Sequence, residues 1–219
     1  MIELRTYKMQ ELSEILGSRG KQAIDNKLNS WGITFTSSGR GRHLEYNITA
    51  IENPFKVYCI TELGFNAQCD FKNILNYLYI FFNNEVFAAL PNEAKEQFLD
   101  RIDKKISRQT IAKYMERLYK IDFINTQGSQ FVYYFAFRKN LRMTDKEEYC
   151  KAWRECHQRL EKGMNWIETI SIMRRDYGGV ARKQAIPEIN AIYLEEYEKL
   201  NALICQQLNN ELDSFNSDY

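Results

Sequence analysis

The 219-residue sequence predicts a mainly α fold with small β elements, an α+β chain, and three observations lead there. Apolar residues recur at three- and four-residue spacing over most of the length, the mark of helices with one buried face. Short β-rich runs turned at glycines follow two of these helices. Hydrophobic residues make up 44%, aromatic residues 14%, and there are only 3 prolines, a composition suited to ordered, helix-rich cores rather than a disordered tail.

The first element is the short run "ELRTYK", after which Leu12, Ile15 and Leu16 mark a helix. Gly17 to Gly20, with Arg19 inside it, make a sharp turn, and Ile24, Leu28 and Trp31 mark a second helix that ends at Gly32. Lys21, Gln22, Asp25, Asn26 and Asn29 fall opposite the apolar stripe of this second helix. Two β-rich runs follow, Ile33 to Ser37 and Leu44 to Ile48, turned tightly at Gly39 and Gly41. The tip between them holds Arg40, Arg42 and His43. Such a tip is either a solvated basic turn or a hairpin aimed at a phosphate backbone.

Across residues 4–51 this order of strand, short helix, second helix and basic hairpin resembles the winged-helix family of DNA-binding domains. The resemblance implies that the second helix lies in a major groove with Lys21, Gln22 and Asn26 toward base edges, while Arg19, Arg40, Arg42 and His43 meet phosphates. The chain departs from the three-helix form of that family, because only "ELRTYK" precedes the first helix.

A first module therefore covers 1–52. Asn53 and Pro54 close it, and "FKVYCITELGF" reads as a strand or an extended linker over 53–69. From 70 to 142 a second module begins with "DFKNILNYLYIFFNN", a buried core helix whose aromatics would also suit a strand. "PNEAKEQFLDRIDKKI" enters a helix at Pro91 and places Phe98, Leu99 and Ile102 on one face. Ser107 caps the next helix, Ile111, Met115 and Leu118 bury beneath it, and Arg108, Gln109, Lys113 and Arg117 stay outward. Phe123 to Asn125, a turn around Gln127 and Gly128, and "FVYYFAFR" read as a second hairpin, so this region also resembles a winged helix. The resemblance implies tandem winged-helix modules with small β wings, with Arg108, Gln109 and Lys113 of the second module also reading base edges.

The remainder, 143–219, reads as a C-terminal helical element with a loop near Gly178 and Gly179. In its last helix Tyr193, Tyr197, Leu200 and Ile204 alternate four and three residues apart, a seam that either packs on the protein's own modules or joins two copies into a homodimer.

Net charge is only +1, yet the charge is segregated. Residues 1–51 carry +2, 52–100 carry −4, 143–219 carry −4, and 101–142 carry +7 from ten Lys or Arg against three acids. In that basic block Lys104, Lys105, Arg108, Lys113, Arg117, Lys120, Arg138, Lys139 and Arg142 would together make a phosphate-binding surface.

Other classes fit less well. No run approaches the roughly 18 apolar residues of a membrane span, and "MIELRTYKMQ" lacks the apolar core of a signal peptide, so a cytoplasmic protein with no membrane partner is expected. Five scattered cysteines suit a reducing compartment, and Cys150, Cys156 and His157 are poorly spaced for zinc, so no metal is expected. No phosphate-cradling or dinucleotide glycine motif appears, and no cofactor is implied. Asp70 with Glu93, Ala94 and Lys95 is the one candidate nuclease set, but charge in a first helical turn accounts for the tripeptide. No enzyme is expected. The resulting expectation is a sequence-specific double-stranded DNA-binding protein, a transcriptional regulator of a bacterial or phage mobile element. The alternatives are a phage-type inhibitor of a host defence nucleoprotein, similar to anti-CRISPR proteins that carry a helix-turn-helix, and, by analogy alone, a plasmid replication initiator.

Overall fold

A computed structural model describes residues 1–128, 130–138, 140–161, 163 and 165–217, without the side chains of residues 42, 160, 161 and 213–217. It has an α+β architecture in which helices predominate and the strands form small antiparallel sheets. Contacts gather the chain into two compact units, Met1–Leu75 with Ile192–Tyr219, and Asn76–Ala191.

The first unit starts with β1 (Thr6–Lys8), α1 (Met9–Leu16) and α2 (Lys21–Ser30). It continues through β2 (Ile33–Ser38), a 3-10 turn (Gly41–His43), β3 (Glu45–Ile51) and α3 (Pro54–Thr61). The sheet order is β1-β3-β2, with Tyr7 opposite Tyr46 and Ile33 opposite Ile51. Leu12 and Leu16 from α1, Ile24 and Leu28 from α2, and Tyr7, Tyr46 and Ile48 from the sheet form one core. Ile15, expected in that core, is exposed: Leu12 and Leu16, four residues apart, take the buried face of α1 and Ile15 falls to its side.

Residues 54–61 form α3, where a strand or linker was expected. Asn53 caps this helix by accepting a 2.8 Å bond from the Lys56 N–H, and Pro54 occupies its first turn. The pair that reads as a module end is thus also a helix start. α3 sends Val57 into the core beside α1, α2 and the sheet.

The chain continues through α4 (Phe71–Asn83), α5 (Glu85–Ala89), α6 (Asn92–Arg101), α7 (Arg108–Lys120), β4 (Ile124–Asn125) and β5 (Phe131–Phe137). Then follow β6 (Asn140–Thr144), α8 (Lys146–Glu161), α9 (Trp166–Tyr177), β7 (Val180–Ala185), β8 (Glu188–Ile189) and α10 (Leu194–Ser217). The division between units falls inside α4, and α10 belongs to the first unit while α8 and α9 belong to the second.

In the first unit the Tyr58 hydroxyl donates to the Glu196 carbonyl at 3.0 Å, and α10 packs along α3. Leu200 and Ile204 of the expected seam are fully buried within the chain. Their apolar surface is already removed from water by packing within the chain. Tyr193 and Tyr197 are half-buried.

The second unit departs from the expected hairpin. β4 pairs with β8, not with β5, and β5 is the centre of a sheet of order β6-β5-β7. The hairpin is β5-β6, turned at Arg138, and "VARKQA" and "EI", read as loop and helix, are strands. Phe135 and Ala181 face Ala152, Cys156 and Met173 on one side of this sheet, while Val132 and Tyr134 pack with Ala89 on the other. A centre strand apolar on both faces needs cover from both sides, and the residues that give it lie up to fifty positions away in sequence. Ile102, expected on the buried face of α6, is 45% exposed because the helix ends at Arg101 and Ile102 is its capping residue.

Candidate nucleic-acid interface

In the first unit Gly20, at φ 90°, breaks the chain before α2, and Ile24 and Leu28 anchor the helix to the core. Lys21, Gln22 and Asn26 are left exposed. Gln22 Nε2 donates to Asn26 Oδ1 at 3.1 Å, one turn apart. This bond orients both amides and leaves the Gln22 carbonyl oxygen and the Asn26 amide nitrogen as a fixed acceptor and donor. Asp25, expected on the same outward face, instead turns in: its Oδ1 is buried beside the buried Tyr46 hydroxyl. Burial first, and then the neighbouring Asp25 carboxylate, push the Tyr46 phenol well above its ordinary range. Lys27 is likewise engaged, donating to the Leu16 carbonyl at the end of α1.

The β2-β3 tip depends on Gly39. Its φ is 85°, and a Cβ there would lie 2.1 Å from the His43 carbonyl oxygen, so no other residue fits the turn. His43 N–H donates to the Arg40 carbonyl at 3.2 Å, and buried Leu44 anchors the far side. Arg40 and His43 are exposed, as is Arg19 in the turn between α1 and α2. The side chain of Arg42 lies outside the described residues.

In the second unit Ser107 caps α7 as expected, accepting from the Thr110 N–H at 3.3 Å, and Ile111, Met115 and Leu118 are buried. Arg108, Gln109 and Lys113 are exposed, while Arg117 is half-buried. The surroundings are less basic than the sequence block implies. Glu96 Oε1 accepts the Arg108 N–H at 2.9 Å, so a carboxylate already occupies the positive end of α7. Lys104 and Lys105 line a 480 Å³ cleft together with Glu93, Glu96 and Asp100. Arg142 makes two bonds to Glu148, at 3.2 and 3.0 Å, and its guanidinium lies 4.7 Å from the Phe135 ring centre. That ion pair and a bond from Thr144 hold the Glu148 carboxyl below its ordinary range. Arg138 is exposed at the β5-β6 turn, and Lys139 lies outside the described residues.

The candidate nuclease residues lie on different elements, Asp70 just before α4 and Glu93, Ala94 and Lys95 on α6. Asp70 caps α4, with Oδ1 accepting from the Asn73 N–H at 3.1 Å. Lys95 is 2% exposed, with the Phe81 and Phe87 ring centres 5.6 and 6.0 Å from its ammonium and Met115 Sδ at 3.9 Å. Burial lowers its pKa to about 8. Among the described residues no group of three His, Cys, Asp or Glu gathers to hold a metal ion, and no helix is long and apolar enough to cross a membrane.

Two cationic residues outside the expected set, Arg174 on α9 and Arg182 on β7, come together with Arg138 around one cavity. For Arg182 the local signal is weak: "VARKQA" holds three polar residues in a row, and only its place between a glycine pair and Pro187 hints at a separate strand. For Arg174 no local pattern distinguishes it from its solvated neighbour Arg175. Compared by sequence and by fold, the chain matches no family model, no curated protein and no solved structure.

Proposed function

We propose that the protein is a sequence-specific double-stranded DNA-binding protein that regulates transcription by occupying its site. The observation that supports this reading most is the exposed face of α2, where Lys21 and the bonded Gln22–Asn26 amide pair stand on a helix anchored by Ile24 and Leu28. A fixed acceptor and donor match the paired donor and acceptor that an adenine shows in the major groove, and Lys21 adds a charge for guanine or phosphate. The glycine-turned tip with exposed Arg40 and His43 fits the role of backbone contact that sets register without reading sequence. The α7 face, with Arg108, Gln109 and Lys113, adds affinity rather than specificity, and its neighbouring carboxylates limit that gain.

Selection of bound duplexes from a random pool tests the proposal. One enriched motif, lost when Gln22 and Asn26 are both replaced by alanine, supports it. No enrichment at low salt overturns it, and recovery from a host extract of a protein partner that resists nuclease treatment would move the reading to an inhibitor of a host nucleoprotein.

A further inference from the structure

We propose that the second unit carries a binding site for a phosphate monoester, formed by Arg138, Arg174 and Arg182 around a cavity of 660 Å³. Its volume lies within the roughly 300–1,000 Å³ of small-ligand sites. Three elements build it. The register of β5 with β7 sets Tyr134 opposite Arg182 and Ala136 opposite Val180, so these four residues share one face of the sheet. β7 starts close against β5: a Cβ on Gly179 would lie 2.9 Å from the Ala136 backbone. The third element is the chain after Phe137, which pairs with Asn140: there Arg138 has φ 52°, a left-handed conformation that arginine rarely adopts.

Phe137 gathers two of the cations. The Arg138 and Arg174 guanidinium carbons lie 5.2 and 5.5 Å from its ring centre, within cation–π range. Among the described residues none of the three arginines forms an ion pair, and Asp176, the nearest acid along α9, is engaged by Arg159 and Arg175. Glu93 is the one carboxylate lining the cavity, against three guanidiniums. All three arginines are exposed, while Tyr134 and Ala181 beneath the sheet faces are buried. Like charges gathered at a solvent-open cavity repel unless an anion joins them, and a phosphate dianion accepts from several guanidinium forks at once. A concave site suits the compact terminal group of a monoester better than the continuous backbone of a duplex. Two sources share that chemistry, a free nucleotide and the 5′-phosphate of a nucleic-acid strand.

The site goes beyond duplex recognition by α2 and is tested without a duplex. Calorimetric titration of the full chain with adenosine monophosphate should show affinity at least about tenfold tighter than adenosine, with inorganic phosphate competing. Arg174→Gln and Arg182→Gln together should abolish the difference while thermal melting stays as in the wild type. Arg174→Gln alone, at an exposed helix position, should weaken binding severalfold and repeats the test with the sheet untouched. Lys151→Gln, exposed on α8 and outside the cavity, should leave the affinity for the monophosphate unchanged. A 5′-phosphorylated single strand that binds more tightly than the mononucleotide, and than its 5′-hydroxyl counterpart, assigns the source to strand ends; the opposite order assigns it to free nucleotide. Equal binding of adenosine and its monophosphate, or unchanged affinity in a folded double variant, overturns the proposal.

Discussion

Both units place a hairpin after a helix, but they close it differently. In the first, β2 follows α2 after two residues, and β1, just before α1, completes the sheet by pairing with β3. In the second, the strand after α7 pairs with β8, and the hairpin β5-β6 is completed by β7, which follows two further helices. The same local order thus yields a sheet closed by neighbouring chain in one region and a sheet dependent on distant chain in the other. The helix faces differ as well. α2 shows a lysine and a bonded amide pair, while α7 shows several cations beside acids, with Glu96 on its amino end. Charge summed along a segment overstates the field wherever folding brings acids between the cations.

The comparison can be broken most sharply at the core. Leu28→Ala removes a fully buried side chain beneath α2 and should cost about 2–5 kcal/mol in urea denaturation. It should abolish selective duplex binding, whereas a fully selective variant would show that α2 does not read sequence. The second unit differs in enclosing a lysine. Lys95 has its pKa lowered to about 8 by burial, so between about pH 8 and the ordinary 10.5 the unfolded chain holds a proton that the folded chain has released. Stability should therefore rise with pH through that window and lose the benefit as pH falls through it, by roughly 3 kcal/mol at about 1.4 kcal/mol per pH unit. Lys95→Met should be more stable than the wild type at pH 7, with the difference shrinking toward pH 10. A constant difference would mean that Lys95 reaches solvent.

At the surface, Asn26→Ala should relax selectivity at one base position by about 1–3 kcal/mol with little change on scrambled duplex, measured by paired titration. Equal losses on both duplexes would make α2 a phosphate contact rather than a reader of bases. The smallest effect separates the basic residues of α7 from those in its neighbouring cleft. Lys113→Gln should lower the slope of log affinity against log salt by about one, and Lys104→Gln, beside Glu93, Glu96 and Asp100, should leave it nearly unchanged. Equal slopes for the two variants would restore the uniform basic surface.

What the sequence alone determined about this protein is its local structure. The α1-turn-α2-hairpin order, the Ser107 cap, the buried helix at α4 and the glycine tip at Gly39 all follow from contacts within a few residues: apolar spacing, a side chain able to reach a nearby N–H, a backbone angle only glycine tolerates. Asn53-Pro54 fits both a module end and a helix start, "VARKQA" shows no clear period, and in both places the choice fell to what lay beside them. Only the tertiary structure decided that β7 and β8 return to β5 and β4, that α10 joins the first unit and buries Leu200 and Ile204, that Asp25 turns in toward Tyr46, and that Arg138, Arg174 and Arg182 meet. Helix caps and turns are settled by neighbours along the chain, whereas strand partners and shared cavities depend on which apolar faces remain uncovered once every helix has packed, a property of the whole chain that no short segment encodes.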